Sequence, residues 1–280
     1  MSPLIFNFYV TDMINEILKM SVGCRLGGEA TNILCYADDI ILLSPSATGL
    51  QIMIDKLAVL IEDLCLSINL EKSIHIIFTF GNLYKVTGPK VSLNGINLER
   101  VQKFKYLGVF FHEDLSITGD VDRATNAFLA QFHSLYSKFS FVDRELMFYL
   151  FRTYTSSFYG IESWWYKMTA ASINKIAVAY HKAVKKVAGL NVWDSNHVAC
   201  EIVNVPIFKH LLARRIVTFL SGLYKSSNIC VKRFSYHFRF NSYTFSIVNN
   251  MFLKQYGFDK VFENPMCAVN SRIYFVQHND

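Results

Sequence analysis

The sequence lacks the usual marks of a secreted, membrane-spanning or zinc-binding protein. No stretch reaches the roughly 18 uncharged apolar residues that a membrane helix needs, so no span and no membrane partner are expected. The first residues show no basic region followed by an apolar run, so no secretory signal is expected either. The six cysteines are scattered and form neither a Cys-x-x-Cys pair nor a Cys/His cluster. This pattern predicts free thiols in a reducing, intracellular compartment, with no disulfide partner.

What the chain does have is apolar bulk and an uneven distribution of charge. Its 280 residues are 52% hydrophobic and 18% charged, which is enough for one large or two ordinary domains with a sizeable core. Residues 1–139 carry 11 Lys and Arg against 14 Asp and Glu, whereas residues 140–280 carry 17 against 8. An acidic half joined to a basic half fits a metal site next to a nucleic-acid surface. A basic helical region that is merely soluble fits equally well.

Two adjacent carboxylates, Asp38 and Asp39, interrupt an otherwise apolar stretch. The apolar runs 33–35 and 40–43 flank them, and ionised carboxylates are rarely buried without a partner. Strands on both sides would place the pair at the tip of a β-hairpin. A double negative charge there suits Mg²⁺, which is usually held by one or two carboxylates plus substrate phosphates. A solvated surface turn is the simpler interpretation of an Asp-Asp pair taken alone.

Apolar periodicity along the rest of the chain predicts an α+β fold, with strands mostly in the first 113 residues and helices after them. Helices are expected from Ser2 to about Leu18 and over about 47–68, 118–139, 144–160, 171–188 and 207–223. Strands are expected beside the Asp-Asp pair, over 74–80, in a small hairpin at 91–98 with an Asn-Gly turn, and over 104–111. Tyr236, Phe238, Phe240 and Tyr243 alternate as in an amphipathic strand.

The stretch Tyr36-Ala37-Asp38-Asp39 resembles the catalytic hairpin of reverse transcriptases, whose signature is Tyr-x-Asp-Asp. The Ala in second place is similar to the enzymes of non-LTR (LINE-type) retrotransposons and group II introns. Further stretches resemble the family in the family's order, so that the resemblance covers about residues 2–223. They are residues 2–9, the pattern Asn69-x-x-Lys72-Ser73, Tyr106-Leu107-Gly108 and Tyr159-Gly160-Ile161-Glu162-Ser163-Trp164.

The resemblance implies catalytic roles for Asp38, Asp39 and Lys72 in template-directed DNA synthesis on RNA. Asp38 and Asp39 would be metal ligands for Mg²⁺, two ions in an intact parent enzyme, and would activate the primer 3′-hydroxyl. Lys72 would lie next to the incoming dNTP, where a lysine can neutralise triphosphate charge or protonate the pyrophosphate leaving group. The alternative for Lys72 is an exposed lysine at the end of a helix.

The resemblance also implies a nucleic-acid-binding set and places the protein in the nucleus. The segment around Tyr106-Leu107-Gly108 would be the primer grip that supports the primer terminus, although a buried strand with exposed lysines explains the same pattern. The partners would be an RNA template and a DNA primer. The implied nucleic-acid-binding residues are Tyr36, Lys103, Lys105, Tyr106, Leu107, Gly108, Lys182, Lys185 and Lys186.

The implied architecture is the C-terminal part of a polymerase palm, an antiparallel sheet with packed helices, followed by a helical thumb and connection region. The expected domains are 1–113 (partial palm), 114–223 (thumb and connection) and 224–280 (an aromatic, basic segment of unassigned role). The family's third catalytic aspartate, from a strand upstream of the hairpin, has no counterpart here, which suggests an N-terminally truncated enzyme with an incomplete metal site. The chain alone is therefore expected to polymerise poorly. The alternative is a catalytically inactive nucleic-acid-binding or structural remnant.

Overall fold

The computed structural model describes residues 3–79, 88–155, 158–236 and 273–277, and these form an α+β arrangement. The helices are α1 (Pro3–Lys19), α2 (Ala47–Asp63), α3 (Thr118–Phe139), α4 (Arg144–Tyr154), α5 (Ile161–Trp164), α6 (Ala170–Ala188), α7 (Asn196–Val203), α8 (Phe208–Lys225) and α9 (Ile229–Tyr236). The strands are β1 (Arg25–Leu26), β2 (Glu29–Ala30), β3 (Ile33–Tyr36), β4 (Asp39–Ser44), β5 (Ile74–Phe78), β6 (Ser92–Leu93), β7 (Ile96–Asn97), β8 (Glu99–Arg100), β9 (Lys103–Tyr106), β10 (Val109–His112) and β11 (Ile273–Gln277). No helix within the described ranges is long and apolar enough to cross a membrane.

The main sheet has five strands in the order β3-β4-β11-β5-β8. Strands β3 and β4 form an antiparallel hairpin, and β5 pairs in parallel with the short β8. Between these two pairs lies β11, which is antiparallel to both of its neighbours: Tyr274 faces Ser44 of β4 and Ile77 of β5. The last described element of the chain therefore joins the two halves of the sheet.

Both faces of the sheet are covered, which explains why its strands are apolar along their length. Leu42 and Ile77 point to one face, where they pack with the buried sides of α1 and α2. Ile41 and Ile76 alternate to the other face, where Phe104 of β9 covers them. Because side chains alternate along a strand, neighbouring residues of β4 and β5 contribute to different cores.

The helices after residue 118 enclose a separate aromatic core. Tyr180 of α6 is buried near its centre, with the rings of four phenylalanines 5.8 to 6.4 Å from its own ring. Its hydroxyl donates to the backbone oxygen of Pro206 at 2.9 Å, so burial leaves this polar group paired. These phenylalanines are Phe128, Phe151, Phe158 and Phe208.

Several predicted elements are confirmed, and the departures have local causes. The helix expected over 118–139 is found with the same bounds, and the Asn94-Gly95 turn joins β6 to β7 with both residues at positive φ. By contrast, α2 ends at Asp63 instead of 68, because Cys65 takes the left-handed conformation (φ 54°). A cysteine carries no signal for that conformation, which glycine normally adopts.

Three further expectations need correction. The helix expected over 144–160 ends at Tyr154, and Gly160 at φ 80° begins the separate short helix α5. Tyr236, expected in a strand, is the last residue of helix α9, while 238, 240 and 243 lie outside the described residues. The strand expected over 74–80 is seen to Phe78, with residue 80 outside the described ranges. Helices α7 and α9 and strand β11 were not anticipated.

Substituting Val276 in β11 by proline should open the middle of the sheet. Strand β11 is hydrogen-bonded on both sides, so proline removes a ladder bond, and proline is poorly tolerated in a central strand. We expect amide hydrogen exchange to accelerate in both β4 and β5, together with a loss of stability of about 3 kcal/mol. Val276→Ile, which keeps the N–H and the β-branched shape, is the control. Unchanged exchange in β4 and β5 of the proline variant would show that β11 does not hold them together.

Candidate functional site

The two carboxylates lie at the tip of the hairpin formed by β3 and β4, as the sequence predicts. Tyr36 is paired with Asp39, so the connecting turn consists only of Ala37 and Asp38. Ala37 has φ 53°, a conformation that costs a residue with a Cβ roughly 1–2 kcal/mol. The Tyr36 side chain is exposed beside the turn. The short turn therefore fixes both aspartates at the end of the β3–β4 strand pair.

The carboxylates of Asp38 and Asp39 leave this turn towards different surroundings. Asp38 borders a cavity of about 210 Å³ that is enclosed mainly by apolar side chains of the hairpin, α1 and α2. Asp39 begins β4 and acts electrostatically on Tyr106, which belongs to the hairpin on the opposite face of the sheet. Both aspartates are half-buried. Two hairpins from different parts of the chain thus meet at Asp39.

Tyr106 shows how closely the two hairpins approach. Burial raises the pKa of Tyr106 to about 12, and the negative charge of Asp39 contributes to the shift. Phe104, on the same face of β9, is buried against the main sheet and stacks on Phe111 of β10 with ring centroids 5.3 Å apart. This packing holds the pair β9–β10 against the sheet and brings Tyr106 to the acidic turn.

Lys72 is presented by a self-stabilised turn just before β5. The side-chain oxygen of Asn69 accepts the backbone N–H groups of Glu71 and Lys72 at 3.1 and 3.2 Å. The Ser73 hydroxyl donates to the Asn69 backbone oxygen at 2.8 Å. The Lys72 side chain is exposed, and the neighbouring Ser73 borders the same cavity as Asp38. The pattern Asn69-x-x-Lys72-Ser73 therefore has a structural role, and it presents Lys72 just before β5, at the end of the sheet where the acidic turn lies.

The segment predicted to contact the primer is a β-hairpin with an exposed two-residue turn. Lys103 and Lys105 are exposed on one face of β9, alternating with buried Phe104 and half-buried Tyr106. Leu107 and Gly108 form the turn, with φ of 45° and 81°, so both adopt the left-handed conformation of a type I′ turn. The expectation of exposed lysines is confirmed, and both explanations offered for this segment remain compatible with it.

A groove of about 620 Å³ separates this turn from the helices. Tyr106 and Leu107 line one wall, and residues of α5 and α8 line the other. Arg215 of α8 pairs with Glu162 of α5 at 2.5 Å, whereas Arg214 is exposed at the groove. The basic residues beside the predicted primer grip therefore come from α8. In the sequence, α8 can be recognised as a basic helix by Lys209, His210, Arg214 and Arg215.

The three lysines predicted on α6 have different surroundings from one another. Lys185 donates to the backbone oxygen of Val192 at 2.7 Å, and the ammonium of Lys186 lies 4.5 Å from the Tyr136 ring centroid. Lys182 is exposed. None of the three lines the groove beside the β9–β10 turn. The structure therefore does not bring the α6 lysines to that groove, and two of them have contacts within the protein.

The metal-binding capacity of the site rests on its two aspartates. Across the described ranges, no three residues of the types His, Cys, Asp and Glu are grouped so that they could hold a metal ion. Carboxylate oxygens are the ligands that Mg²⁺ prefers, and Mg²⁺ often completes its shell with water and substrate phosphates. The two carboxylates suit such an ion by their chemistry, and no third residue of these types is grouped with them in the described ranges.

The first 111 residues match the family model described as reverse transcriptase (RNA-dependent DNA polymerase). This stretch includes the β3–β4 hairpin, and it covers the β9–β10 hairpin as far as Phe111 in β10. Residues 1–111 are therefore similar to reverse transcriptases. The resemblance to reverse transcriptases is thereby confirmed for this part of the chain.

A curated relative points to the same family. The chain is 29% identical over 121 residues to the Retrovirus-related Pol polyprotein from type-2 retrotransposable element R2DM of Drosophila melanogaster. The aligned part is 40% of this chain and 11% of that protein. The chain thus spans only a small part of this relative. Helices α3 to α9, the helical half of the chain, lie beyond the reverse transcriptase match.

Asp39→Asn should lower the pKa of Tyr106 from about 12 towards the ordinary tyrosine value of about 10. Removing the negative charge makes the phenolate less unfavourable, while burial continues to hold the pKa up. The measurement is the ¹³Cζ shift of Tyr106 from about pH 9 to above pH 12, so that the range includes the pKa of about 12, with the signal assigned by Tyr106→Phe. Asp38→Asn is the matched control and should leave the titration unchanged. Equal titration curves in both variants would contradict the placement of Asp39.

Proposed function

We propose that the chain is part of an RNA-directed DNA polymerase of a non-LTR retrotransposon. The observation that carries the proposal is the meeting of two hairpins at Asp39. One hairpin has paired carboxylates, and the other has an exposed turn and exposed lysines. The reverse transcriptase match covers the first hairpin and the second as far as residue 111. Residues 1–113 would be part of the palm, and 114–223 the thumb and connection. Residues 224–280 contribute β11 to the sheet and have no further assigned role.

Magnesium would supply the chemistry of nucleotidyl transfer by stabilising charge on the reacting phosphate and the primer 3′-hydroxyl. Asp38 and Asp39 would hold it, with substrate phosphate oxygens completing the shell. Lys72, exposed at the same end of the sheet, would neutralise the dNTP triphosphate or donate a proton to the leaving pyrophosphate. In the parent enzyme a further carboxylate would be needed for a second ion.

The β9–β10 hairpin would hold the primer strand next to the acidic turn. Lys103 and Lys105 would contact phosphates, which position a nucleic acid without reading its sequence. The Tyr106-Leu107-Gly108 turn would support the primer end, and exposed Tyr36 would contact the nucleic acid from the acidic hairpin. Lys182, Lys185 and Lys186 of α6 would contact duplex backbone further along. A nuclear location follows from the family alone and stays a prediction.

A second candidate is a catalytically inactive remnant that binds nucleic acid or is only structural. The grouping of only two carboxylates in the described part of the chain favours it.

Primer extension on an RNA template with Mg²⁺ distinguishes the polymerase from the inactive remnant. Robust synthesis by the purified chain that is lost in Asp38→Ala would exclude the remnant. Absent synthesis with intact hybrid binding would favour it.

Lys103→Gln should weaken binding to an RNA–DNA hybrid and flatten its salt dependence. Each phosphate that a lysine neutralises releases counterions, so losing one contact should reduce the slope of log Kd against log salt by about one. The measurement is hybrid affinity at several salt concentrations. Lys56→Gln, an exposed lysine on the α2 side of the sheet, is the control. Identical slopes for the two variants would count against a primer-binding role for β9.

Paramagnetic broadening by Mn²⁺, a common substitute for Mg²⁺, tests the acidic turn without requiring activity. Amide signals of Ala37 and Ile40 should broaden first and should be protected in Asp38→Asn/Asp39→Asn. The exposed pair Glu62-Asp63 on α2 offers a matched control, because Glu62→Gln/Asp63→Asn removes the same charge elsewhere. If both double variants reduce the broadening of Ala37 and Ile40 equally, the attraction of Mn²⁺ to the acidic turn is non-specific.

A further inference from the structure

Asp120 is a buried carboxylate whose partners link the helical half to the β9–β10 hairpin. It lies in the first turn of α3 and is only 1% exposed. Its Oδ1 accepts the backbone N–H of Phe110 in β10 at 3.1 Å and Nε of Arg123 at 3.2 Å. Buried charges are stable in proteins when they are paired and hydrogen-bonded. Asp120 therefore ties α3 to one strand of the hairpin.

Arg123 continues the connection to the turn of the same hairpin. Its Nη2 donates to the backbone oxygen of Tyr159 at 3.3 Å. The Tyr159 hydroxyl in turn donates to the backbone oxygen of Leu107 at 2.7 Å. The chain of hydrogen bonds thus starts at Phe110 and returns to the hairpin at Leu107, passing through three side chains. We call Asp120, Arg123 and Tyr159 the hairpin clamp.

Two glycines allow the clamp to fit closely. A Cβ on Gly108 would lie 2.8 Å from Cε1 of Tyr159, so the tyrosine ring packs against the bare backbone of the turn. A Cβ on Gly160 would lie 3.0 Å from Cγ2 of Val109 on the hairpin. Both glycines also have positive φ. The Tyr159-Gly160 and Leu107-Gly108 pairs are therefore complementary in shape.

Tyr159 does not contribute to stability through burial in the core. Its side chain is 60% exposed, so its contribution is the hydrogen bond to Leu107 and the contact with Gly108. We propose that the hairpin clamp positions the Tyr106-Leu107-Gly108 turn relative to Asp39. Resting on the proposed function, this means that the helical half determines where the primer end lies with respect to the acidic turn. Tyr159 is a positioning residue and needs no contact with nucleic acid.

Tyr159→Phe tests the clamp, because it removes only the hydroxyl and keeps the ring. We expect amide exchange at Val109 and Phe110 to rise about three- to tenfold, the factor that corresponds to one lost hydrogen bond. The thermal midpoint should fall by no more than a few degrees, since only one hydrogen bond is lost and the residue is outside the core. Tyr154→Phe is the matched control, because Tyr154 is 61% exposed. Unchanged exchange in Tyr159→Phe would overturn the proposal.

A second variant and a second measurement extend the test. Arg123→Lys keeps the positive charge near Asp120 but lacks the forked guanidinium group, which also donates to Tyr159. We therefore expect it to raise amide exchange at Val109 and Phe110 as well. The affinity for an RNA–DNA hybrid should fall about three- to tenfold in Tyr159→Phe. The slope of log Kd against log salt should stay unchanged, because no phosphate contact is lost. A loss of affinity without a rise in exchange at Val109 and Phe110 would overturn positioning in favour of direct contact. If the unmodified chain binds no hybrid, the proposed function fails, while the exchange data still decide on the clamp.

Discussion

Strand β4 begins with a charged residue and is fully buried two residues later. Asp39 must stay near water or a partner, whereas Ile41 and Leu42 are covered on opposite faces of the sheet. The cost of burying an unpaired carboxylate therefore sets how far the strand can slide into the core. A shift by one residue would also exchange the two apolar faces. Both effects hold the acidic turn at the end of the sheet.

The second hairpin depends on this arrangement and on the helices together. Phe104 attaches β9 to the sheet, and Asp120 attaches β10 to α3. The hairpin is thus held by apolar packing on one side and by hydrogen bonds on the other. The turn of this hairpin lies between two separate cores, so the relative placement of those cores determines its position directly.

Features set by local chemistry were predictable from the sequence. The Asp38-Asp39 turn, the Asn94-Gly95 turn and the exposed Lys103 follow from short patterns whose physical cause lies within a few residues. The approach of Asp39 to Tyr106 could not be predicted, since it depends on how two sheet faces are covered. Helix α2 ends early at a left-handed cysteine that has no sequence signature. The run of β-formers at 273–276 was a signal for β11, but its pairing partners are far away in sequence.

The position of β11 has a consequence for how the protein folds. Tyr274 pairs with Ser44 across 230 residues, which gives the sheet a high contact order, and such non-local pairing slows folding. Until β11 arrives, β4 and β5 present apolar strands with open edges, the kind of surface that promotes aggregation. A newly made chain would therefore expose an aggregation-prone surface during synthesis, and it would benefit from a chaperone until the central strand is in place.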